Sequence, residues 1–410
     1  MPSLATTSLG RDFDRFWLAA ASSNLGDGIR LGALPLLAIS LTDDARLIAM
    51  ITAANLVPWL LLGPLGGAVV DRVDRKRLIL IAQLGRAVVV GVLALLVALD
   101  AATIWLAIVC AFVLGAGEIL ADTTAQAAVP QLVDADQLDQ ANGRIGVALL
   151  LLDQVVGVAL GAVLFAAAAG LPFAIDALTF LIAAALLTTI RRPLQGERTI
   201  EPRSYRSDIA DGARFLVQHR FLRSSMAAIA TSNFAGNVAF GVFVVLVVDE
   251  LGASEVAFGL VLSIGAVGGV LGASTARRLV GRFGRRTVMS VAPSLLVVSY
   301  LINAAATELW MASASFFVSS TAIGCANVPG QSVRQAVTPE RLLGRVVATF
   351  RTVGFGVAPL GALLGGVVTE ATGVRIANLV AAALGFVSWL MLLGALRHLD
   401  AALTEARSTA

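Results

Sequence analysis

Residues 47–99 read LIAMITAANLVPWLLLGPLGGAVV (47–70), DRVDRKR (71–77) and LILIAQLGRAVVVGVLALLVAL (78–99), so two apolar runs flank a short charged loop. Each run exceeds the roughly 20 residues that a helix needs to cross a bilayer. The loop is rich in Arg and Lys, which is typical of the cytoplasmic side of a membrane. The pattern predicts two membrane-spanning helices joined by a cytoplasmic loop.

The same alternation continues through all 410 residues. Hydrophobic residues make up 58% of the chain and charged residues 14%, with a mean hydropathy of +0.86. Soluble domains carry about 45–50% apolar and about 25% charged residues, so the excess points to lipid as the surrounding solvent. Apolar runs of spanning length occur at 16–41, 47–70, 78–99, 103–121, 145–168, 171–190, 224–248, 256–276, 287–305, 309–330, 346–369 and 374–396. The sequence therefore predicts an all-α polytopic membrane protein with twelve transmembrane helices.

The distribution of Arg and Lys predicts how the chain is oriented. One set of loops is basic and includes 72–77, 191–223, 277–286 and 334–345. The alternate set holds Arg46 and Arg375 but mainly acidic residues. Because loops with excess Arg and Lys stay in the cytoplasm, we expect both termini to be cytoplasmic in a multi-pass protein of the cytoplasmic (inner) membrane. Charged residues precede the first run, so we interpret it as a retained helix and not a signal peptide.

Two halves are recognisable around the longest loop. We assign residues 1–190 to an N-terminal six-helix bundle, 191–223 to a cytoplasmic linker, and 224–410 to a C-terminal six-helix bundle with a short tail. Within the linker, Tyr205–Arg220 has the pattern of an amphipathic helix on the membrane surface. The segment QAAVP at 126–130 recurs as QAVTP at 335–339. The recurrence, close to half the chain length, predicts two pseudo-repeat bundles.

The loop at 67–77 carries a family resemblance. Its sequence GAVVDRVDRKR resembles the signature loop between helices 2 and 3 of the major facilitator superfamily, G-x-L-a-D-R-x-G-R-K/R-K/R, and differs at Asp74, where Gly is usual. The resemblance implies that Asp71 contacts the start of helix 11 and latches the two halves in the outward-open state. The residues of this latch loop are Gly67, Asp71, Arg72, Arg75, Lys76 and Arg77. A simpler role for its cations is to fix the topology.

Further motifs narrow the resemblance. NLGDG at 24–28, DALTF at 176–180, GRV at 344–346 and PLGA at 359–362 resemble the third drug:proton antiporter family. That family includes macrolide and tetracycline efflux pumps and siderophore exporters. The resemblance covers essentially the whole chain and implies transport by the major facilitator fold, but it does not identify a substrate.

A few charged residues lie inside the apolar runs. A charge at the bilayer centre costs at least about 2.5–3.5 kcal/mol, so such residues are candidates for function. Asp27 and Arg30 lie three residues apart on one helix face, and they form either a proton-coupling site or a permanent structural ion pair. Asp153 is either a proton or cation site or a partner for Arg30 or Arg86. Together with Glu118, these residues are our proton-coupling candidates.

Helix 4 carries two acids on one face near the cytoplasm. Glu118 and Asp122 are four residues apart, and we expect a cytoplasmic charge network between Asp122 and Arg86 or the latch loop. Asp176 lies at the outer end of helix 6 and is interpreted as structural. The C-terminal half has no acid in the middle of a span, and this asymmetry favours ion coupling in the N-terminal half. Substrate-cavity candidates are the polar and aromatic residues Asn55, Asn233, Phe234, Asn237, Asn327, Gln331 and Arg351.

The sequence also excludes several classes of function. With 2 Cys and 2 His, it has no zinc or other metal motif, and it has no recognisable catalytic constellation, so we expect neither an enzyme nor a metalloprotein. It lacks the phosphate-binding motif G-x-x-x-x-G-K-S/T, and its basic residues are explained by topology and not by nucleic-acid binding. We expect no cofactor, and a proton gradient as the energy source.

These features favour a monomeric secondary transporter that exports amphiphilic small molecules, such as drugs, antibiotics or siderophore-like metabolites, in exchange for protons. Its two halves would rock about a site near the bilayer midplane. A lipid or lysophospholipid carrier, or an uptake facilitator, of the same fold is the first alternative. A membrane receptor without transport is the third.

Overall fold

A computed structural model describes residues 9–195 and 205–409 of the chain, with side chains at 9–62, 73–195, 212–339 and 342–404. These residues fold into α-helices joined by short turns. The first half contains α1 Arg11–Leu41, α2 Ala45–Arg72, α3 Arg75–Ala98, α4 Ile104–Ala128, α5 Leu138–Ala148, α6 Val158–Ala167 and α7 Leu171–Thr188. The second half contains α8 Tyr205–Gln218, α9 Arg220–Phe240, α10 Glu255–Phe283, α11 Arg285–Ala305, α12 Leu309–Val337, α13 Glu340–Gly356, α14 Ala358–Thr372, α15 Val374–Leu396 and α16 Leu399–Thr409.

Twelve of the described segments cross the bundle, as the sequence predicts. Eleven are long and apolar enough to span a membrane. The twelfth is α1, which has 31 residues but is less apolar because it carries Asn24, Asp27 and Arg30.

Three spans are interrupted where the sequence predicted continuous runs. In the fifth span, α5 and α6 are separated by a π-helical stretch, Leu149–Gly157. In the seventh span, a second π-helical stretch, Val245–Glu250, follows a turn after α9. The eleventh span breaks at Val357 between α13 and α14, where Pro359 lacks the N–H that would continue the ladder. The runs 145–168, 224–248 and 346–369 are therefore broken helices, a feature that transporters use near their binding sites.

The loop between α2 and α3 is held by its own charges. Asp74 accepts a hydrogen bond from the Arg77 backbone N–H at 2.8 Å and so caps α3, which explains why Asp is accommodated where the family usually has Gly. Arg75 donates to the Ala127 carbonyl at 2.9 Å, and Lys76 donates to the Ile190 carbonyl at 2.7 Å. These cations therefore bind the free carbonyls at the ends of α4 and α7. The side chains of Gly67, Asp71 and Arg72 lie outside the described residues, so the latch stays a prediction.

The apolar core shows which ends of the two halves meet. Because the number of spans is even, both termini lie on one side, here called the terminal face; the side that carries the turns at 42–44 and 373 is the distal face. Near the distal face a single apolar cluster joins both halves, with Leu36 and Ile48 from the first half and Val244 and Phe258 from the second. Near the terminal face, one cluster around Phe13 and another around Phe350 each belong to one half. The bundle is therefore closed at the distal face.

A contact between the halves reinforces this closure. The Glu370 carboxylate at the end of α14 accepts a hydrogen bond from the Ala45 backbone N–H at 3.0 Å. Ala45 is the first residue of α2, where unpaired N–H groups and the helix dipole favour an anion. An acid of the second half thus caps a helix of the first half.

The helix predicted at Tyr205–Arg220 is present as α8, Tyr205–Gln218. It packs against protein: Leu216 is fully buried in one cluster with Val346 and Phe350 of α13. In the described part of the linker, α8 is therefore attached to the second half. The helix α7 ends at Thr188 and α9 begins at Arg220, and the division into domains at 190 and 223 stays a prediction.

Close packing of α10 against α12 yields a test of the fold. A Cβ atom at Gly268 would lie 2.6 Å from the Phe317 carbonyl oxygen and 2.8 Å from the Thr321 hydroxyl, whereas the nearest atom to a Cβ at Gly269 would lie 3.7 Å away. We predict that Gly268→Ala lowers the free energy of unfolding by about 1–3 kcal/mol through overpacking. Gly269→Ala is the control and should leave it unchanged or slightly higher. Thermal unfolding of the purified protein measures both; equal effects would contradict the packing.

Candidate functional site

Four helices bring charged side chains together in the interior of the first half. Asp27 and Arg30 come from α1, Arg86 from α3, Glu118 from α4 and Asp176 from α7. Arg30, Arg86 and Asp176 have side chains that are 5%, 2% and 0% exposed, while Glu118 is 27% exposed. We call these five residues the charge cluster. Such residues are costly inside a membrane unless they are paired, so their partners matter.

Asp27 is at the centre of the charge cluster. Its Oδ1 accepts hydrogen bonds from Arg30 Nη2 at 2.6 Å and from Arg86 Nη2. The sequence left open whether Asp27 and Arg30 pair, and the structure shows that they do. Two guanidinium groups on one carboxylate oxygen hold α1 and α3 together at this depth.

Arg30 also contacts α2, α4 and α7. Its Nη2 donates to Glu118 Oε2 at 3.1 Å, and its Nη1 donates to Asn55 Oδ1 at 3.3 Å. Its Nε lies 3.5 Å from Asp176 Oδ2, close enough for charge attraction but without a hydrogen bond. Both carboxylate oxygens of Asp176 are buried and lack a hydrogen-bond partner among the described residues. Asp176 is therefore the least satisfied member of the charge cluster.

Arg86 is fixed by uncharged neighbours as well. Its Nη1 donates to Ser23 Oγ at 3.4 Å, and Ser23 in turn is bonded to Gln83. The guanidinium carbon lies 4.0 Å from the centroid of the Phe180 ring, which is a cation–π contact. The sequence placed Arg86 in a network with Asp122. The structure instead places Arg86 in the charge cluster, and no ion pair joins it to Asp122.

The motifs NLGDG and DALTF meet at the charge cluster. Their contacts there explain why these residue types occur in them. In NLGDG, a Cβ at Gly26 would overlap the Asp176 carboxylate and the Thr179 hydroxyl, so Gly lets α7 approach α1. A Cβ at Gly28 would overlap the Asp153 carbonyl, so Gly lets the π-helical stretch approach on the other side. In DALTF, Asp176 faces Arg30 and the aromatic ring at the end of the motif stacks on Arg86.

The π-helical stretch Leu149–Gly157 connects the charge cluster to the second half. Its Asp153 is half-buried and accepts a hydrogen bond from its neighbour Gln154. No ion pair joins Asp153 to Arg30 or Arg86, so the structure does not support the partner role. The Val155 carbonyl accepts a hydrogen bond from Ser263 Oγ of α10 at 2.8 Å. Irregular helix at such a position is characteristic of functional sites.

The second half contains an uncharged cavity of about 270 Å³ between α9, α11 and α12. A smaller cavity of about 110 Å³ adjoins it and shares Ser232, Asn233 and Leu296 with it. The larger cavity is lined by aromatic rings and by polar but uncharged side chains. These include Ser232, Asn233, Asn237, Phe240, Phe243, Ser299, Tyr300, Asn303, Phe316, Ser319 and Ser320.

Only some of the predicted cavity residues line a cavity in the structure. Asn233 and Asn237 line the larger cavity, and Asn327 lines the smaller one. Phe234 packs into the apolar core of the second half, and Asn55 binds Arg30. The remaining two candidates lie elsewhere: Gln331 is exposed, and the Arg351 guanidinium carbon lies 5.6 Å from the Trp59 ring centroid, across the two halves.

The chain is similar to known proteins over most of its length. A model of the transmembrane secretion effector family matches residues 7–409. The chain belongs to this family of major facilitator transporters. It is therefore a multi-pass membrane transporter that acts on small molecules in a lipid bilayer.

Two relatives extend the comparison along the chain. The transporter is 28% identical over 395 residues to the multidrug efflux pump Tap of Mycobacterium tuberculosis, which covers 92% of each protein. It is 24% identical over 374 residues to macrolide efflux protein A of Streptococcus pyogenes, covering 88% of this chain and 90% of that protein. The resemblance to drug exporters of the major facilitator type is confirmed.

A solved structure confirms the fold. The transporter matches a bacterial homologue of the iron transporter ferroportin in an inward-facing state with a TM-score of 0.75, covering 95% of this chain and all of that one. The two sequences are 16% identical, so this likeness concerns the fold alone.

Sequence reasoning missed two sets of residues. Asp176 was interpreted as structural at a helix end, although its position inside an apolar run marks it as a candidate by the same rule that singled out Asp27. Tyr300 and Asn303 were not among the substrate-cavity candidates. Their position three residues apart on α11 was a usable signal, because residues at that spacing share a helix face.

The ion pairs of the charge cluster should contribute to the thermal stability of the protein. Arg30→Gln removes the partner of Glu118 and the charge nearest Asp176, and loss of one partner of a buried pair costs about 3–5 kcal/mol. We therefore expect a markedly lower thermal midpoint for the purified protein. The control is Arg46→Gln, because Arg46 is 56% exposed in its pair with Asp44 and such pairs are screened by water. An Arg30→Gln midpoint equal to that of the control would contradict the pairing described here.

Proposed function

We propose that the transporter exports amphiphilic small molecules in exchange for protons. The observation that carries this proposal is the charge cluster, in which three carboxyl groups share two guanidinium groups. Because guanidinium groups remain protonated in proteins, the charge cluster is one positive charge short of neutral when all its acids are ionised. An uncompensated charge in a low-dielectric interior is costly, so uptake of one proton is favourable.

The members of the charge cluster differ in how they could exchange a proton. Asp27 accepts hydrogen bonds from both Arg30 and Arg86 and so anchors the charge cluster. Glu118 has a single bond to Arg30 and is the most exposed member, at 27%. We propose that Glu118 is the point at which the charge cluster meets water and takes up the proton. Asp122 and Asp153 are further carboxyl groups nearby, and neither has an ion pair in the described part of the chain.

The closure of the distal face supports transport by alternating access. We propose that the terminal face is cytoplasmic, in agreement with the basic loops at that face. Closure at the distal face then corresponds to an inward-open state, in which a substrate enters from the cytoplasm. Rocking of the two halves would break the contacts at the distal face and release the substrate outside. Both halves are on one chain, so we propose a monomer as the working unit in the inner membrane.

The amphiphilic character of the substrate is inferred from two sources. The cavity of the second half combines aromatic rings with polar uncharged groups, which suits a molecule with apolar and polar parts. The relatives named above are a multidrug and a macrolide efflux protein. Neither source identifies one compound, so the experiment uses a panel.

Proton movement in proteoliposomes tests the proposal. An interior pH dye is followed under an imposed pH gradient while cationic, neutral and anionic amphiphiles are added, with empty liposomes as the baseline. We expect substrate-dependent proton flux in the wild type, and a fall to the baseline in Asp27→Asn and Glu118→Gln, because each variant removes a carboxylate of the charge cluster. Asp136→Asn, at an exposed site between α4 and α5, is the matched control and should retain the flux.

Two outcomes would change the conclusion. Full proton-driven transport by Asp27→Asn would show that the charge cluster is not the coupling site. Uptake of labelled lipid or solute without proton flux for any compound would favour a lipid carrier or a facilitator.

The contact between Glu370 and Ala45 gives a second test. Glu370→Gln weakens the cap on α2, and charge at a helix N-terminus contributes about 0.3–1 kcal/mol, so the open form of the distal face should be populated about two- to five-fold more. The probe is Ile48→Cys, at a residue that is 3% exposed beneath this contact. Its labelling by a membrane-impermeant maleimide should accelerate by that factor, in a background without Cys110 and Cys325. Unchanged labelling would show that Glu370 does not hold the face closed.

A further inference from the structure

We propose that the cavity between α9, α11 and α12 is a subsite for an uncharged aromatic part of the ligand that carries a hydroxyl or amide group. That this ligand is a transported substrate rests on the proposed function. The existence of the binding site does not depend on that function. The cavity lies within the second half and is separate from the charge cluster of the first half. Its aromatic wall and its unused hydrogen-bonding groups carry the inference.

The aromatic wall is preorganised. Phe316 of α12 stacks with two rings from the seventh span: its centroid is 5.0 Å from that of Phe243, at an interplanar angle of 22°, and 6.2 Å from that of Phe240, at 18°. Gly265 of α10 backs the Phe316 ring, since a Cβ there would overlap it. Stacked rings held in this way offer a flat surface to another aromatic ring.

The opposite wall contains hydrogen-bonding groups without partners. Tyr300 and Asn303 lie three residues apart on α11 and are 7% and 4% exposed. Within the described part of the protein, neither side chain forms a hydrogen bond, and Asn303 Oδ1 is fully buried and unpaired. An unsatisfied polar group in an apolar interior is unfavourable, so a ligand that bonds to these groups relieves that cost.

The two asparagine amides on the α9 side of the cavity already donate hydrogen bonds within the protein. The Asn233 amide donates to the Gly354 carbonyl at 2.7 Å, and the Asn237 amide donates to the Asn233 carbonyl at 2.9 Å. The α9 side of the cavity therefore uses its amide donors within the protein. The α11 side does not, so a polar group of the ligand should point toward Tyr300 and Asn303.

Charge and size define the part of the ligand that fits. All residues lining the cavity are uncharged, so a charged group would lose its hydration without gaining a partner. The volume of about 270 Å³ is just below the roughly 300–1,000 Å³ of sites that hold whole drug-sized molecules. The cavity therefore holds one ring system, and the rest of the ligand lies outside it or in the adjoining 110 Å³ cavity.

Photolabelling of the purified full-length protein tests the subsite without requiring transport. The probes are 4-hydroxybenzophenone and 4-methylbenzophenone, which have nearly the same shape but differ in hydrogen bonding. Labelled peptides are mapped by mass spectrometry as a function of probe concentration. We expect saturable labelling in α9, α11 or α12, with tighter binding of the hydroxyl probe.

Three variants probe the walls of the cavity. Tyr300→Phe and Asn303→Leu each remove hydrogen-bonding groups and keep the shape, and each should weaken the hydroxyl probe about five-fold while leaving the methyl probe unchanged. Ser232→Leu fills the cavity at a residue with no side-chain hydrogen bond and should abolish labelling by both probes. Asn378→Leu is the control, because Asn378 is also buried in the second half but lies outside the cavity. Thermal unfolding of every variant identifies any that fails to fold.

The outcomes separate this inference from the proposed function. Equal labelling by both probes, or labelling that Tyr300→Phe and Asn303→Leu leave unchanged, would overturn the subsite. The same holds if the labels map outside α9, α11 and α12. Selective labelling in a protein that moves no protons would support the subsite and contradict only the proposed antiport. Proton flux without selective labelling would contradict only the subsite.

Discussion

The ion pairs of Asp27 with Arg30 and Arg86 constrain the whole first half of the transporter. A buried carboxylate that loses its partners is strongly destabilising, so α1 and α3 must remain close at this depth. The two guanidinium groups then attract Glu118 and Asp176 from α4 and α7. Helices in lipid gain little from apolar burial against one another, so a shared charge cluster is an effective way of fixing four of them.

The charge cluster also determines where glycine residues and irregular helix are needed. α1 can carry Asp27 between two neighbouring segments only because Gly26 and Gly28 leave room for α7 and for the π-helical stretch. That stretch is bonded through its Val155 carbonyl to Ser263 of the second half. A continuous set of packed contacts therefore runs from the buried charges to the interface between the halves.

The two halves share a helical plan but differ in their interiors. The first half concentrates ionised groups, whereas the cavity of the second half is aromatic and uncharged. Protons and organic molecules need different surroundings, because a proton site depends on the balance of charge and an aromatic site depends on shape and on the exclusion of water. In the proposed function, the proton site and the site for the organic molecule lie in separate halves, so rocking of the halves would couple them.

The sequence by itself determined the twelve spans and the fold, because a lipid-exposed backbone must form helices and each apolar run is long enough to cross. It also determined that Asp27 and Arg30 share a helix face, since the spacing of three residues is local. The partner of Arg86, the inclusion of Asp176 and the cavity beside Tyr300 were decided only by the tertiary structure. In a membrane protein, the lipid-facing and core-facing sides of a helix are both apolar. The sequence pattern therefore gives little information about how each helix is rotated about its own axis. Contacts between distant helices depend on that rotation and on the packing that fixes it.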